Sequence, residues 1–182
     1  MAPAAPADRP ILRFGDDRLR RVCRPVEAGE TDVPALADEL WRQLRRRGGV
    51  GLAAPQLGDL RRLIVVKDPR PGPSRRLELV NPALEPADAE PAWFEEGCLS
   101  FPGLFLRLPR PRAVAVVYRD LAGQEQRLRA DGLLARIIQH EADHLDGILF
   151  VDHLTGWRRL WLPWRLGRPL GRPPGRPPEG RA

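Results

Sequence analysis

Leu36, Leu40 and Leu44 recur at intervals of four, a spacing that places them on one face of a helix. The segment opens on Asp32-Val33-Pro34. Asp32 is a cap candidate, and a proline is tolerated in the first turn that follows. It closes on Arg45-Arg46-Arg47 and Gly48-Gly49. The arginines suit the negative end of a helix dipole and read as a solvated helix end; the glycines stop the helix. A second helical pattern, more apolar, runs from Asp131, its expected cap, to about Leu145, with Asp146-Gly147 as its stop. Leu63–Lys67, Leu77–Asn81, Ala113–Arg119 and Gln124–Ala130 read as short strands, the last two joined as a hairpin across Asp120-Leu121-Ala122-Gly123. Strands followed by one buried helix predict an α+β domain, with antiparallel β-sheets wrapped around a central helix.

At 182 residues the chain suits one domain with a core of its own. Charge divides it unevenly. Of its 30 basic and 24 acidic residues, seven arginines and Glu179 fall in 157–182, which leaves 23 of each sign in 1–156. The formal charge of +6 therefore belongs to the tail, and so does any attraction to polyanions. Gly-Arg-Pro-Pro repeats in that tail favour extended, disordered backbone. Before them Trp157, Trp161 and Trp164 share one face of a short helix, with Arg158, Arg159 and Arg165 alongside. The division expected is a catalytic body over 1–156 and a basic, largely disordered tail over 157–182. Cys23 and Cys98 form no C-x-x-C pair, which argues against a disulfide framework and suits a reducing cytoplasm. Met1–Asp8 lacks the basic and apolar regions of a secretory signal. No apolar run nears the ~20 residues of a membrane span.

The chemistry sits in the second helix. His140-Glu141-Ala142-Asp143-His144 is an H-E-x-x-H motif. Residues i and i+4 share a helix face, so both imidazoles can reach one metal ion, with Glu141 placed to contact water on it. A catalytic site of this kind usually takes three protein ligands and keeps one position open. Downstream the choice is poor. The metzincin pattern requires a histidine where Phe150 stands; Glu179 lies in the tail; Asp152 and His153 follow the helix too closely to reach back without a sharp reversal. Upstream stands Cys98, whose thiolate is a strong ligand for zinc or iron. Taken alone, Cys98 has two readings, third ligand or small buried apolar residue. The Gly-rich stretch from Gly49 to Gln56 also has two: a tight structural loop, or backbone that a ligand can approach closely.

Gly49-Val50-Gly51-Leu52-Ala53-Ala54-Pro55-Gln56, Glu96-Gly97-Cys98-Leu99-Ser100 and Gln139-His140-Glu141-Ala142-Asp143-His144, in that order and at that spacing, resemble the three motifs of the peptide deformylase family. Ile11–Arg20 is similar to its N-terminal segment, and the resemblance covers roughly residues 10 to 156. It implies the same α+β architecture and a divalent metal held by Cys98, His140 and His144. Fe2+ is the expected native ion, with Zn2+, Ni2+ or Co2+ as replacements after purification. It implies that Glu141 takes the water proton and hands it to the departing nitrogen, and that Gln56 and the backbone N–H of Leu99 serve the oxyanion. Gly51 and Gly97 would contact an extended substrate peptide. Val50, Phe94, Leu133 and Ile137 would wall a methionine pocket. The implied substrate is the N-formyl-methionyl end of a nascent chain; the products are formate and a free amine. The implied location is cytoplasmic. By analogy the tail would contact the ribosome; neither membrane attachment nor sequence-specific nucleic-acid binding is expected.

Glu96, beside a buried metal site, needs a partner, and Arg110 is the candidate. Three features depart from the pattern: Gly103-Leu104-Phe105-Leu106 is wholly apolar where many relatives carry a polar or basic residue, Arg136 is basic where some are aliphatic, and the C-terminus carries Pro-rich repeats where relatives often have a long helix. Cys23 and His153 match no motif and read as structural. Two other functions compete. A zinc peptidase of another class requires a third ligand other than Cys98. A metal-stabilised RNA-binding protein has no need of Glu141.

Overall fold

The computed structural model describes residues 9–156, together with Leu162, Leu166, Gly167 and Leu170. Helix α1 spans Val33–Arg47 and buries Val33, Leu36, Ala37, Leu40, Trp41 and Leu44 on one face. That stripe packs on Ile11, Leu52, Leu57, Leu63 and Val65. Leu40 is fully buried there, and cutting such a side chain to alanine costs about 2–5 kcal/mol. The helix ends where the glycines require: Gly48 takes φ 66, in the left-handed region. Its N–H donates to the Arg45 carbonyl and that of Gly49 to Leu44. The start differs from expectation. Asp32 makes no cap hydrogen bond; its carboxylate accepts from Arg61 Nη1 at 2.7 Å. A guanidinium donor is the stronger partner.

Five strands form one antiparallel sheet in chain order: β1 (Gly51–Ala53), β2 (Leu63–Asp68), β3 (Arg75–Cys98), β4 (Phe101–Arg119) and β5 (Glu125–Asp131). The short strand expected at 77–81 is only the beginning of β3, and the one at 113–119 only the end of β4. Between them the two strands continue as a long hairpin through to Cys98 and Phe101. Pro82, Pro86 and Pro91 conceal it by interrupting the apolar alternation. The same region carries register shifts at Val80/Ala83, Pro86/Asp88 and Asp88/Pro91, where prolines are tolerated and a sheet bends.

Helix α2 (Gly132–Leu145) contacts all five strands, which makes it the central helix of an α+β fold. It is buried nearly all round, from Leu134 through Ala142. Apolar neighbours are Ile64, Val66, Leu79, Val114 and Val116. Asp131 makes no cap hydrogen bond because it still belongs to β5, paired with Ala113. Gly132, at φ 52, turns strand directly into helix. A third apolar cluster joins the end of β3 to Leu19, Leu149, Phe150 and Leu154, and includes Leu162 and Leu170. Arg20 ties this side together, donating to Asp152 and to the Leu170 carbonyl. Trp157, Trp161 and Trp164, and the tail arginines, lie outside the described residues.

Candidate metal centre and active site

Helix α2 presents His140 and His144 side by side, ring centroids 5.2 Å apart. The end of β3 brings Cys98 to them, with Sγ 3.3 Å from His144 Nε2. The donor atoms of the three residues lie within 4.8 Å of one another, and all three residues are buried. Asp152 and His153 are occupied elsewhere. Asp152 pairs with Arg20 and accepts from the Leu149 N–H at 2.8 Å; His153 Nε2 lies 2.7 Å from Asp143 Oδ2.

The donors suit a divalent ion. Burial opposes ionisation of Cys98, yet His144 and His140 hold its thiol well below the usual value, so the ligating thiolate is the favoured form. His140 Nδ1 faces Glu96 Oε2 at 2.9 Å. A bond there fixes the tautomer and leaves Nε2 free for metal. One thiolate and two imidazoles would hold such an ion with three protein ligands, the number that a catalytic site uses when it leaves a position for water.

Behind His140 lies a buried charge cluster. Glu96 accepts from Arg110 Nε at 2.6 Å and Nη2 at 2.9 Å, as expected, and from Arg136 Nη1 at 2.7 Å. Arg110 continues to Asp143 at 2.6 Å. Burial works against the Glu96 charge, but His140 and Arg110 hold its pKa far below the carboxylate range. Arg136 is a site residue that the motifs do not single out, although its spacing of four from His140 puts both on the Glu96 side of α2.

In front of His140 the arrangement is open. Gln56 is buried. Its Oε1 accepts from the Ala53 N–H at 2.9 Å, which turns Nε2 toward Ser100 Oγ at 3.2 Å and Cys98 Sγ at 3.6 Å. Ser100 therefore belongs to the site, a contact that the motif contains but its spacing does not announce. Glu141 is pushed up to about 7, chiefly by burial, and its Oε2 has no hydrogen-bond partner among the described residues. Gly51 allows this carboxylate its place: a Cβ there would lie 2.6 Å from Glu141 Oε1 and 2.7 Å from Ile137 Cγ2.

A cavity of about 490 Å³ opens onto these groups, lined by Val50, Gly51, Gln56, Gly97, Cys98, Leu99, His140 and Glu141. His144 sits behind it, almost fully buried. Three expected pocket walls are not in this lining. Phe94 is covered by the Arg136 guanidinium, 5.2 Å from its ring centroid. Leu133 stands half-exposed in the first turn of α2. Ile137 is buried directly behind Gly51.

A buried Cys/His/His set with a carboxylate beside it and an oriented amide facing it defines a metallohydrolase. Comparison with known proteins gives the family. The family profile described as polypeptide deformylase matches residues 8–160. Peptide deformylases of Rhizobium meliloti and Thermomicrobium roseum are 39% and 44% identical, covering 83% and 81% of this chain and 87% and 86% of their own lengths. The structure of a peptide deformylase from Synechococcus elongatus in complex with actinonin matches with a TM-score of 0.79 at 39% identity, over 86% of this chain and 85% of that one. A Met-Ala-Ser-bound class I type b peptide deformylase from Acinetobacter baumannii gives 0.74 at 36%, over 80% and 97%. The chain belongs to the polypeptide deformylase family. It is a metal-dependent hydrolase that removes the N-formyl group from the N-terminal formyl-methionine of newly synthesised proteins and releases formate.

Proposed function

We propose that Glu141, Gln56 and the backbone N–H of Leu99 carry this reaction, at an ion held by Cys98, His140 and His144. The observation that supports it most is the oriented Gln56 amide, facing the same donors as an unpartnered Glu141 oxygen. The ion, when bound, polarises the formyl carbonyl and acidifies a water. Glu141 accepts the proton of the attacking water. As the C–N bond breaks, it returns that proton to the departing nitrogen, which leaves formate and a free amine. A carboxyl whose pKa burial has raised is suited to both halves of that transfer. Gln56 Nε2 and the Leu99 N–H donate to the oxygen as it gains charge.

Gly51 and Gly97 both line the cavity, and their backbone groups contact the extended substrate peptide. The methionine side chain takes the space beside Val50, with Ile137 behind Gly51. Phe94 and Leu133 act on that pocket only from outside the cavity lining.

The native ion is Fe2+, with Zn2+, Ni2+ or Co2+ as substitutes, since thiolate with imidazole accepts all of them. The site works in the cytoplasm, where a free thiolate stays reduced. No described helix is long and apolar enough to cross a membrane. The arginine-rich tail contacts ribosomal RNA phosphates near the emerging substrate. The test is anaerobic loading with Fe(II), followed by formate release from a formyl-methionyl tripeptide. Release that survives Gln in place of Glu141 would sink the assignment.

A further inference from the structure

Phe105 is the most exposed large apolar side chain among the described residues, at 63%, and it lines the active-site cavity. It stands on β4 directly across from Gly97 of β3. Gly97 has no side chain, and the ring fills its place: a Cβ on Gly97 would lie 2.6 Å from Phe105 Cε1 and 2.8 Å from Cδ1. The aromatic face is thus held at the cavity rim, one residue back from the ligand Cys98. The floor is different in kind, with His140 and Glu141 both buried. Val50, about half-exposed, stands at the same rim.

Among the described residues β1 has a single strand neighbour, β2; Gln56 takes the Ala53 N–H on the other edge, and the rest of that edge can pair an extended peptide. Such a peptide advances about 3.4 Å per residue and turns successive side chains to opposite faces. With the formyl group at the floor and the first side chain turned inward, the second side chain emerges at the rim. We propose that Phe105 is a specificity-determining residue that selects a large apolar side chain immediately after the formyl-methionine. This rests on the functional reading above. Arg13 and Arg47 line the same cavity and supply the competing outcome, a preference for an acidic second residue.

The test uses nickel-loaded full-length protein and four peptides: formyl-Met-Leu-Ser, formyl-Met-Phe-Ser, formyl-Met-Ser-Ser and formyl-Met-Glu-Ser. The wild-type protein should favour leucine or phenylalanine over serine by about tenfold in kcat/KM, within the range a few buried methylenes give. The difference should appear mostly in KM. Phe105→Ala should bring that ratio to within about twofold, and Phe105→Leu should keep part of it. Because each variant is judged by a ratio between peptides, differences in metal content cancel. Equal cleavage of all four by the wild-type protein, a ratio unmoved by Phe105→Ala, or a best substrate carrying glutamate would overturn the inference while leaving the functional reading intact. No formate from any peptide would overturn both.

Discussion

Glu96 and Glu141 are equally buried, each about 5% exposed, yet one is bonded to His140 Nδ1 and the other, its neighbour in sequence, lines the cavity. Their chemistry diverges because of their partners. Glu96 accepts from Arg110, Arg136 and His140, and its charge is held. Glu141 keeps an unpartnered oxygen, and burial moves its pKa to about 7. Burial alone raises a carboxyl; hydrogen bonds and opposite charges reverse the sign. One wall of the centre is thereby braced by hydrogen bonds and keeps its charge, while the other can take and release a proton. Substitutions on the two walls should fail in different ways.

The largest effect is expected on the open wall. Glu141→Gln keeps shape and packing but cannot carry a proton. It should lower kcat by about 10²–10⁴-fold while retaining the metal, as measured by formate release beside metal analysis of the same sample. Next comes the neighbouring donor. Gln56→Ala should lower kcat by about 10²–10³-fold and change KM little, because its contact strengthens as charge develops. A rise in KM at constant kcat would make Gln56 a binding group instead.

On the braced wall, Glu96→Gln should act through the metal. The two guanidiniums lose their shared charge, and His140 Nδ1 loses its ionic partner. Metal affinity should fall by about 10–100-fold, measured by competition with a chelator, with activity restored by excess metal. If Glu96→Gln bound metal normally but were inactive, the distinction between the walls would fail.

How much of this was readable beforehand follows the range of each interaction. Within α2, a spacing of four was enough to pair His140 with His144. Cys98 could be raised as a ligand from its chemistry, but only the motif around it decided between ligand and core. Contacts across the chain were harder. Arg136 reaches Glu96 over forty residues; its spacing of four from His140 gives the helix face but not the partner. Asp32 and Asp131 carry the residue type of a helix cap, yet one is drawn to Arg61 and the other remains in a strand. The β3–β4 hairpin was concealed by the prolines that help it bend. Phe94 and Leu133 are candidate walls by position along the chain alone, which does not show that Arg136 stands over the Phe94 ring or that Leu133 is half-exposed in the first turn of α2.

The smallest effect is expected from a region outside both walls. Leu170 is buried in the third apolar cluster, and its carbonyl is held by Arg20, so a cut that spares the body should fall after it. Residues 171–182 then contain Arg172, Arg176 and Arg181 and one acid, Glu179. If these arginines meet RNA phosphates, each contact releases counterions, and three contacts give a log–log salt slope of about −2 to −3. Removing 171–182 should flatten the slope of ribosome binding by that amount and weaken binding about tenfold at low salt. Formate release from a free formyl-tripeptide should stay the same. Cutting before Leu162 instead should lower the melting temperature, because it strips Leu162 and Leu170 from the core. Identical ribosome affinity and salt slope for the protein ending at 170 and the full chain would show the last twelve residues to be inert.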